Sequence, residues 1–221
     1  YCSILALLEG IFILPYGRYF MILCKKWRII APSPNDFFTV RRNIIRKYIL
    51  RRYTLKPFVI VKKGDIVFDV GAYIGEFSIL VANKASKVIA IEPDPRNYYC
   101  LSLNTRRLPN VIPIRKAAWN KRCIVSLKLA LLPDDSSVID VDSKFIVKEV
   151  KVMADTLDNI ARSLGIEKID FLKVDVEGAE PEVLEGAKNV LKTTKKVAIN
   201  CAAERFGKSP AAYIMLSLIH I

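Results

Sequence analysis

An open α/β fold with a doubly wound, mostly parallel sheet is predicted by three features of the sequence. From residue 58 onward, short β-branched runs alternate with stretches of helical periodicity, the pattern of successive βαβ units. One run, Ile66-Val67-Phe68-Asp69-Val70, leads directly into Gly71-Ala72-Tyr73-Ile74-Gly75, a glycine-bounded turn into a helix. The next run closes on Glu92-Pro93-Asp94-Pro95, 21 residues beyond Gly71. An acid at the end of the second strand is placed to accept hydrogen bonds from both hydroxyls of a ribose.

The elements follow in order. Strands are predicted at 66–70, 88–91, 111–114, 171–176 and 197–199, with helices at 75–85, 95–107, 157–164 and 181–191. The stretch 118–154 breaks the rhythm. There, residues 123–131 and 145–153 read as two strands around the polar loop Pro133-Asp134-Asp135-Ser136-Ser137. No internal repeat is present.

Ahead of this region, residues 1–24 are rich in Leu, Ile, Phe and Tyr, interrupted by Glu9 and by Pro15-Tyr16-Gly17-Arg18. No uncharged run there approaches the roughly 18 residues a spanning helix needs. Lys25, Lys26 and Arg28 follow. The segment reads either as an interfacial membrane element or as short helices covering one face of the domain. In residues 37–53, basic pairs (Arg41-Arg42, Arg46-Lys47, Arg51-Arg52) interleave with Phe38, Val40, Ile44, Ile45, Tyr48 and Ile49 at helical spacing. This predicts an amphipathic helix with one basic face, suited to solvent or to anionic lipid. Residues 1–56 are thus expected to be an apolar and basic helical segment, with peripheral membrane contact through residues 1–53. Residues 57–215 form the α/β domain.

Composition narrows the function. Of 221 residues, 52% are hydrophobic and 26% charged, which excludes intrinsic disorder. The net charge of +13 suggests nucleic acid until it is located. Residues 1–64 carry +11 and residues 65–221 only +2, so no nucleic-acid partner is expected. Five scattered cysteines (Cys2, Cys24, Cys100, Cys123, Cys201) without a C-x-x-C pair argue against a disulfide scaffold or zinc knuckle. They favour a reducing, cytoplasmic compartment. The single histidine, His220, lies at the C-terminal end, so a histidine triad and a His-ligated metal are not expected.

The glycine loop discriminates between cofactors. The dinucleotide fingerprint needs a middle glycine to admit a pyrophosphate, where this chain has the bulky Tyr73. Asp69 also suits a pyrophosphate poorly and suits a ligand whose tail is an amino acid with a cationic centre. S-adenosylmethionine meets both conditions better than NAD. A second informative line, Lys173-Val174-Asp175-Val176-Glu177-Gly178-Ala179-Glu180, brings three acids to the end of the fourth strand, where the ligand crevice of an open parallel sheet lies. Glu180 and Glu182 also suit the opening of a helix.

Together these lines resemble the FkbM family of S-adenosylmethionine-dependent methyltransferases. Its members typically read D-V-G-A-N-I-G after strand one, E-P after strand two and K-x-D-V-E-G-A-E at strand four. The resemblance covers residues 58–200. It implies a Rossmann-like class I methyltransferase fold in which Asp69, Gly71, Ala72 and Tyr73 face the cofactor and Gly75 closes the turn. Glu92, with Asp94 beside it, holds the ribose, and Asp175 and Glu177 stand at the reaction end as catalytic candidates. Two residues depart from the pattern: Tyr73 replaces an asparagine, and Asn200 stands where an acid is common. The implied reaction is O-methylation of a sugar or other hydroxylated metabolite. An NAD-dependent oxidoreductase and a non-catalytic, membrane-associated module are the rival readings. Finally, Leu216-Ser217-Leu218-Ile219-His220-Ile221 resembles translated sequencing-adapter DNA. Residues 216–221 are therefore expected to be a non-native tail on a fragment that lacks its last strands.

Overall fold

The computed structural model describes residues 11–24, 27–45, 47–130 and 146–201, together with Ala211 and Ile214. The chain opens with a three-stranded antiparallel sheet, β1 (Phe12–Tyr16), β2 (Tyr19–Cys24) and β3 (Trp27–Ala31), in the order β1-β2-β3. Helices were the expectation here. The Pro15-Tyr16-Gly17-Arg18 interruption is instead a hairpin turn: Tyr16 pairs with Tyr19, and Gly17 adopts φ +63°. A two-residue loop between right-twisted strands needs such a positive φ, and glycine takes it without strain.

The single helix expected over 37–53 is broken. It consists of α1 (Asp36–Val40), a π-helical turn (Arg41–Ile45) and α2 (Tyr48–Arg52), with left-handed Lys47 at φ 52° between the last two. The wider π turn changes the helical phase. Val40 and Ile44 consequently pack with Ile22, Ile29, Ala31 and Phe37 against Ile74 and Cys100, while Ile49 and Tyr53 enter a different core. Phe38 and Tyr48, on the same predicted apolar stripe, are exposed.

The α/β region follows as β4 (Ile66–Val70), α3 (Glu76–Val81), β5 (Lys87–Ile91), α4 (Pro95–Thr105) and β6 (Val111–Ile114). Next come β7 (Ala117–Ala118), β8 (Cys123–Ala130), β9 (Ile146–Asp155) and α5 (Leu157–Ser163). The last elements are β10 (Phe171–Val174), α6 (Glu180–Glu185), α7 (Lys188–Thr193) and β11 (Val197–Ile199). Five strands form a parallel sheet in the order β11-β10-β4-β5-β6, and β7-β9-β8 form a smaller mixed sheet from the stretch that broke the rhythm. The helix expected over 181–191 is two helices. At the break, a side chain on Gly186 would stand 2.1 Å from the Trp119 carbonyl oxygen. The polar loop expected at 133–137 and the tail at 216–221 lie outside the described residues.

Alternation along the strands divides the core. Phe68, Val70, Ile89, Ile91, Leu172 and Val174 pack against α5, α6 and α7. Val67, Val88, Ala90 and Phe171 face the other way, against Ile49, Phe77, Val81 and Leu101 of α2, α3 and α4. A parallel sheet covered on both faces explains why its strands read as continuous apolar runs. Among the described residues, no helix is long and apolar enough to cross a membrane.

Candidate active site

β4 and β10 are neighbours in the sheet, yet the chain leaves them for opposite flanks. Their carboxyl ends therefore border the crevice in which open α/β sheets bind ligands. Three segments meet there: the turn 71–75, the residues 92–94 and the loop 175–178.

The turn is bolted to the end of β5. Gly71 N and Ala72 N both donate to the Ile91 carbonyl at 3.0 Å, and Tyr73 N donates to Glu92 Oε2 at 2.9 Å. Asp94 N donates to the other Glu92 oxygen at 2.9 Å. Gly71 has φ +73°, and a Cβ on it would meet the Asp175 carbonyl oxygen at 1.8 Å. The close approach that Gly71 allows here is that of the chain at the end of β10. Tyr73 also has a left-handed backbone, at φ 53°, costly for a bulky residue and easier for asparagine. Its hydroxyl donates to Asp36 Oδ1 at 2.8 Å, so its ring reaches toward α1.

Glu92 is buried, and burial first, then the nearby Asp94 carboxylate, push its pKa up to about 8 against the two backbone donors. A protonated carboxyl keeps one O–H donor and acceptor capacity beyond the two backbone donors, which leaves room for a diol. Asp94 is fully buried and caps α4: it accepts from Arg96 N at 2.8 Å and pairs with the Arg96 guanidinium at 2.7 Å. That gives Asp94 a structural task the sequence reading did not assign.

Asp69 is likewise engaged. It was expected to face a ligand's cationic centre, but it is fully buried with Lys173 Nζ at 3.0 Å from Oδ1, and it accepts from Ser78 Oγ at 2.7 Å. The protein supplies its cation. Lys173 Nζ also donates to the Gly71 carbonyl at 2.6 Å. Burial works against the Lys173 ammonium, but Asp69 foremost and Asp175 next outweigh it and raise its pKa.

At the end of β10, Asp175 is half-buried and accepts from the Tyr53 hydroxyl and, at 2.9 Å, from Asn200 Nδ2. Burial first, then the Asp175 charge, raise the pKa of the Tyr53 phenol. Glu177 is half-buried on a left-handed turn at φ 53°, next to Gly178 at φ 93°. Glu180 braces the 175–178 loop from behind: its Oε1 accepts from Val176 N at 3.0 Å and Gly178 N at 3.3 Å.

Sequence reading missed Tyr53 and Lys173. Tyr53 was absorbed into a basic helix, and only its place after the last basic pair set it apart. Lys173 had a usable signal: a cation inside a buried strand requires a buried acid on a neighbouring strand, and Asp69 is its register partner.

The parallel order β11-β10-β4-β5-β6, helices on both faces and the crevice between β4 and β10 together define the Rossmann-like, class I methyltransferase fold. Its solved relatives include the methyltransferase FkbM from Methylobacillus flagellatus KT, which is 17% identical with a TM-score of 0.54 over 85% of this chain and 48% of that one. The family model of the methyltransferase FkbM domain matches residues 69–206. The chain belongs to the FkbM methyltransferase family. Hexuronic acid methyltransferase AglP of Haloferax volcanii is 28% identical over 144 residues, 64% of this chain and 58% of AglP. Methyltransferase sdnD of Sordaria araneosa is 30% identical over 153 residues, 54% of this chain and 59% of sdnD. The chain thus spans under three-fifths of the length of each of these two relatives.

Proposed function

We propose that this chain is an S-adenosylmethionine-dependent methyltransferase domain that methylates a hydroxyl of a sugar or other small metabolite. The observation that carries the reading is the union of the glycine turn with Glu92 through Tyr73 N–H, beside the Asp175–Gly178 loop at the same crevice. The name of AglP, a hexuronic acid methyltransferase, supports the acceptor class.

The residues present fit the cofactor in part. Glu92 retains acceptor capacity for a ribose diol, and Gly71, Ala72, Tyr73 and Gly75 offer a backbone turn beside it. Asp69 acts one step removed, because Lys173 neutralises it and is tied in turn to the Gly71 carbonyl. Bound in this crevice, S-adenosylmethionine would supply an electrophilic methyl group.

Methyl transfer is an in-line displacement, so the protein contributes mainly alignment and desolvation. A hydroxyl acceptor must also lose a proton to a nearby base. Both oxygens of Asp175 already accept hydrogen bonds, from Tyr53 and Asn200, which suits it to orienting an acceptor. Glu177, two residues further along the same loop, is the other candidate to receive the proton.

Calorimetric titration with S-adenosylhomocysteine and with NAD tests the reading. Binding of S-adenosylhomocysteine that weakens in Glu92→Ala supports it. NAD binding in its place would assign the crevice to an oxidoreductase and overturn the proposal.

A further inference from the structure

A cavity of about 110 Å³ lies between the N-terminal sheet and the far end of α4, bordered by Tyr16, Arg28, Ile30, Asn104, Arg106 and Arg107. It is remote from Glu92 and Asp94, since the 11 residues of α4 separate them, a rise of about 16 Å. We propose that this cavity is a phosphate-binding site, its ligand the phosphate of an ester that is carried on a soluble metabolite or on a lipid headgroup.

Three arginines border the cavity, all of them exposed at its rim. Arg106 and Arg107 directly follow α4, where the helix's terminal carbonyls favour cations, and that alone would account for two of them. Arg28 comes from β3, with no such reason to be there. No carboxylate lines the cavity, and among the described residues none of the three arginines forms an ion pair. Three like charges bordering one small space favour an anion there over a cation. The planar fork of each guanidinium matches phosphate oxygens.

The walls are rigid. Asn104 accepts from Ile30 N at 2.7 Å and donates to the Ile30 and Ile74 carbonyls, each at 2.9 Å. The space of about 110 Å³ is ample for a tetrahedral oxyanion. Phe12 and Leu14 share the Tyr16 face of the hairpin by strand alternation, and they are 53% and 45% exposed. An apolar edge beside an anion pocket is the arrangement a lipid headgroup would use.

The test uses the full chain, with folding checked by circular dichroism melting. Inorganic phosphate is titrated calorimetrically. In parallel, phosphatidylcholine vesicles doped with phosphatidic acid, or with oleate at equal charge, are co-sedimented with the chain. Arg28→Gln/Arg106→Gln/Arg107→Gln is expected to weaken phosphate binding about tenfold or more. Lys121→Gln/Arg122→Gln/Lys148→Gln, with the same loss of charge at exposed positions outside the cavity, should leave it unchanged. If the first triple variant misfolds, Arg28→Gln alone carries the test with a smaller loss. Selective sedimentation with phosphatidic acid vesicles assigns the ester to a lipid, and phosphate binding without sedimentation assigns it to a soluble ligand. Absence of phosphate binding, equal losses in both triple variants, or equal binding to oleate vesicles overturns the proposal.

Discussion

Lys173 on β10 and Asp69 on β4 are register partners whose charged groups meet 3.0 Å apart, both buried, at the mouth of the crevice. The pair holds the two central strands together by their side chains as well as by their ladder. Because Lys173 also donates to the Gly71 carbonyl, it couples the β4–β10 pair to the glycine turn. Lys173→Met would leave Asp69 buried without its cation and is expected to cost about 3–5 kcal/mol. Adding Asp69→Asn removes the stranded charge and should recover part of that loss. Urea unfolding of the two variants checks this, and a loss under about 1 kcal/mol in Lys173→Met would mean the pair is solvated.

Glu92 sets a pH dependence. Its pKa is pushed up to about 8 in the folded chain from an ordinary 4.5, first by burial and then by Asp94. The folded state therefore holds this proton more tightly than the unfolded state does. Stability from this group is full below about pH 4.5 and is lost as pH rises to about 8, with no further change above. Asp155 and Asp170, whose pKa values are lowered, act in the opposite sense and only at acid pH. Denaturant midpoints at pH 5, 7 and 9 should decline for the parent chain. Glu180, whose pKa burial also raises, acts in the same sense, so the decline should shrink in Glu92→Gln rather than vanish.

The sheet was legible because its strands are buried on both faces, which leaves uninterrupted runs such as 66–70 and 111–114. Glycine and proline marked where those runs turn. Tertiary context decided what was not legible. A periodic pattern over 37–53 cannot reveal a π turn, which re-phases the helix so that Val40 and Ile49 serve different cores. Pro15 and Gly17 were correctly seen as punctuation, but punctuation does not say whether helices or strands lie on either side. In the crevice, residue types were legible and partners were not. Asp69 and Asp94 look like ligand acids in one dimension, and they prove to be satisfied by Lys173 and Arg96.

Tyr53 links the N-terminal segment to the crevice through its hydrogen bond to Asp175. Tyr53→Phe keeps the packing against Phe77, at a ring separation of 6.0 Å, and removes only the donor. The expected stability loss is about 1–2 kcal/mol, since a half-buried carboxylate oxygen loses a partner. If Asp175 orients the acceptor, turnover falls more than cofactor affinity does. A variant that matches the parent in both stability and turnover would show that the hydroxyl is dispensable. Because burial and Asp175 hold the Tyr53 phenol well above its ordinary range, this tyrosine should also stay silent in an alkaline phenolate titration until the chain unfolds.

Gly71 and Gly165 separate backbone strain from close approach. Both are left-handed, at φ +73° and +64°, but only Gly71 is crowded: its Cβ would stand 1.8 Å from the Asp175 carbonyl oxygen, while nothing lies within 4 Å of Gly165. Gly165→Ala should therefore cost only the backbone strain, about 1 kcal/mol. Gly71→Ala must in addition force β4 and β10 apart at the crevice, against the Asp175 N to Val70 carbonyl hydrogen bond of 3.0 Å. Its expected loss is several-fold larger, and the affinity for S-adenosylhomocysteine should fall with it. Equal costs at the two sites, read from thermal or urea unfolding, would mean that the end of β10 can move aside, and that Gly71 is required only for its φ.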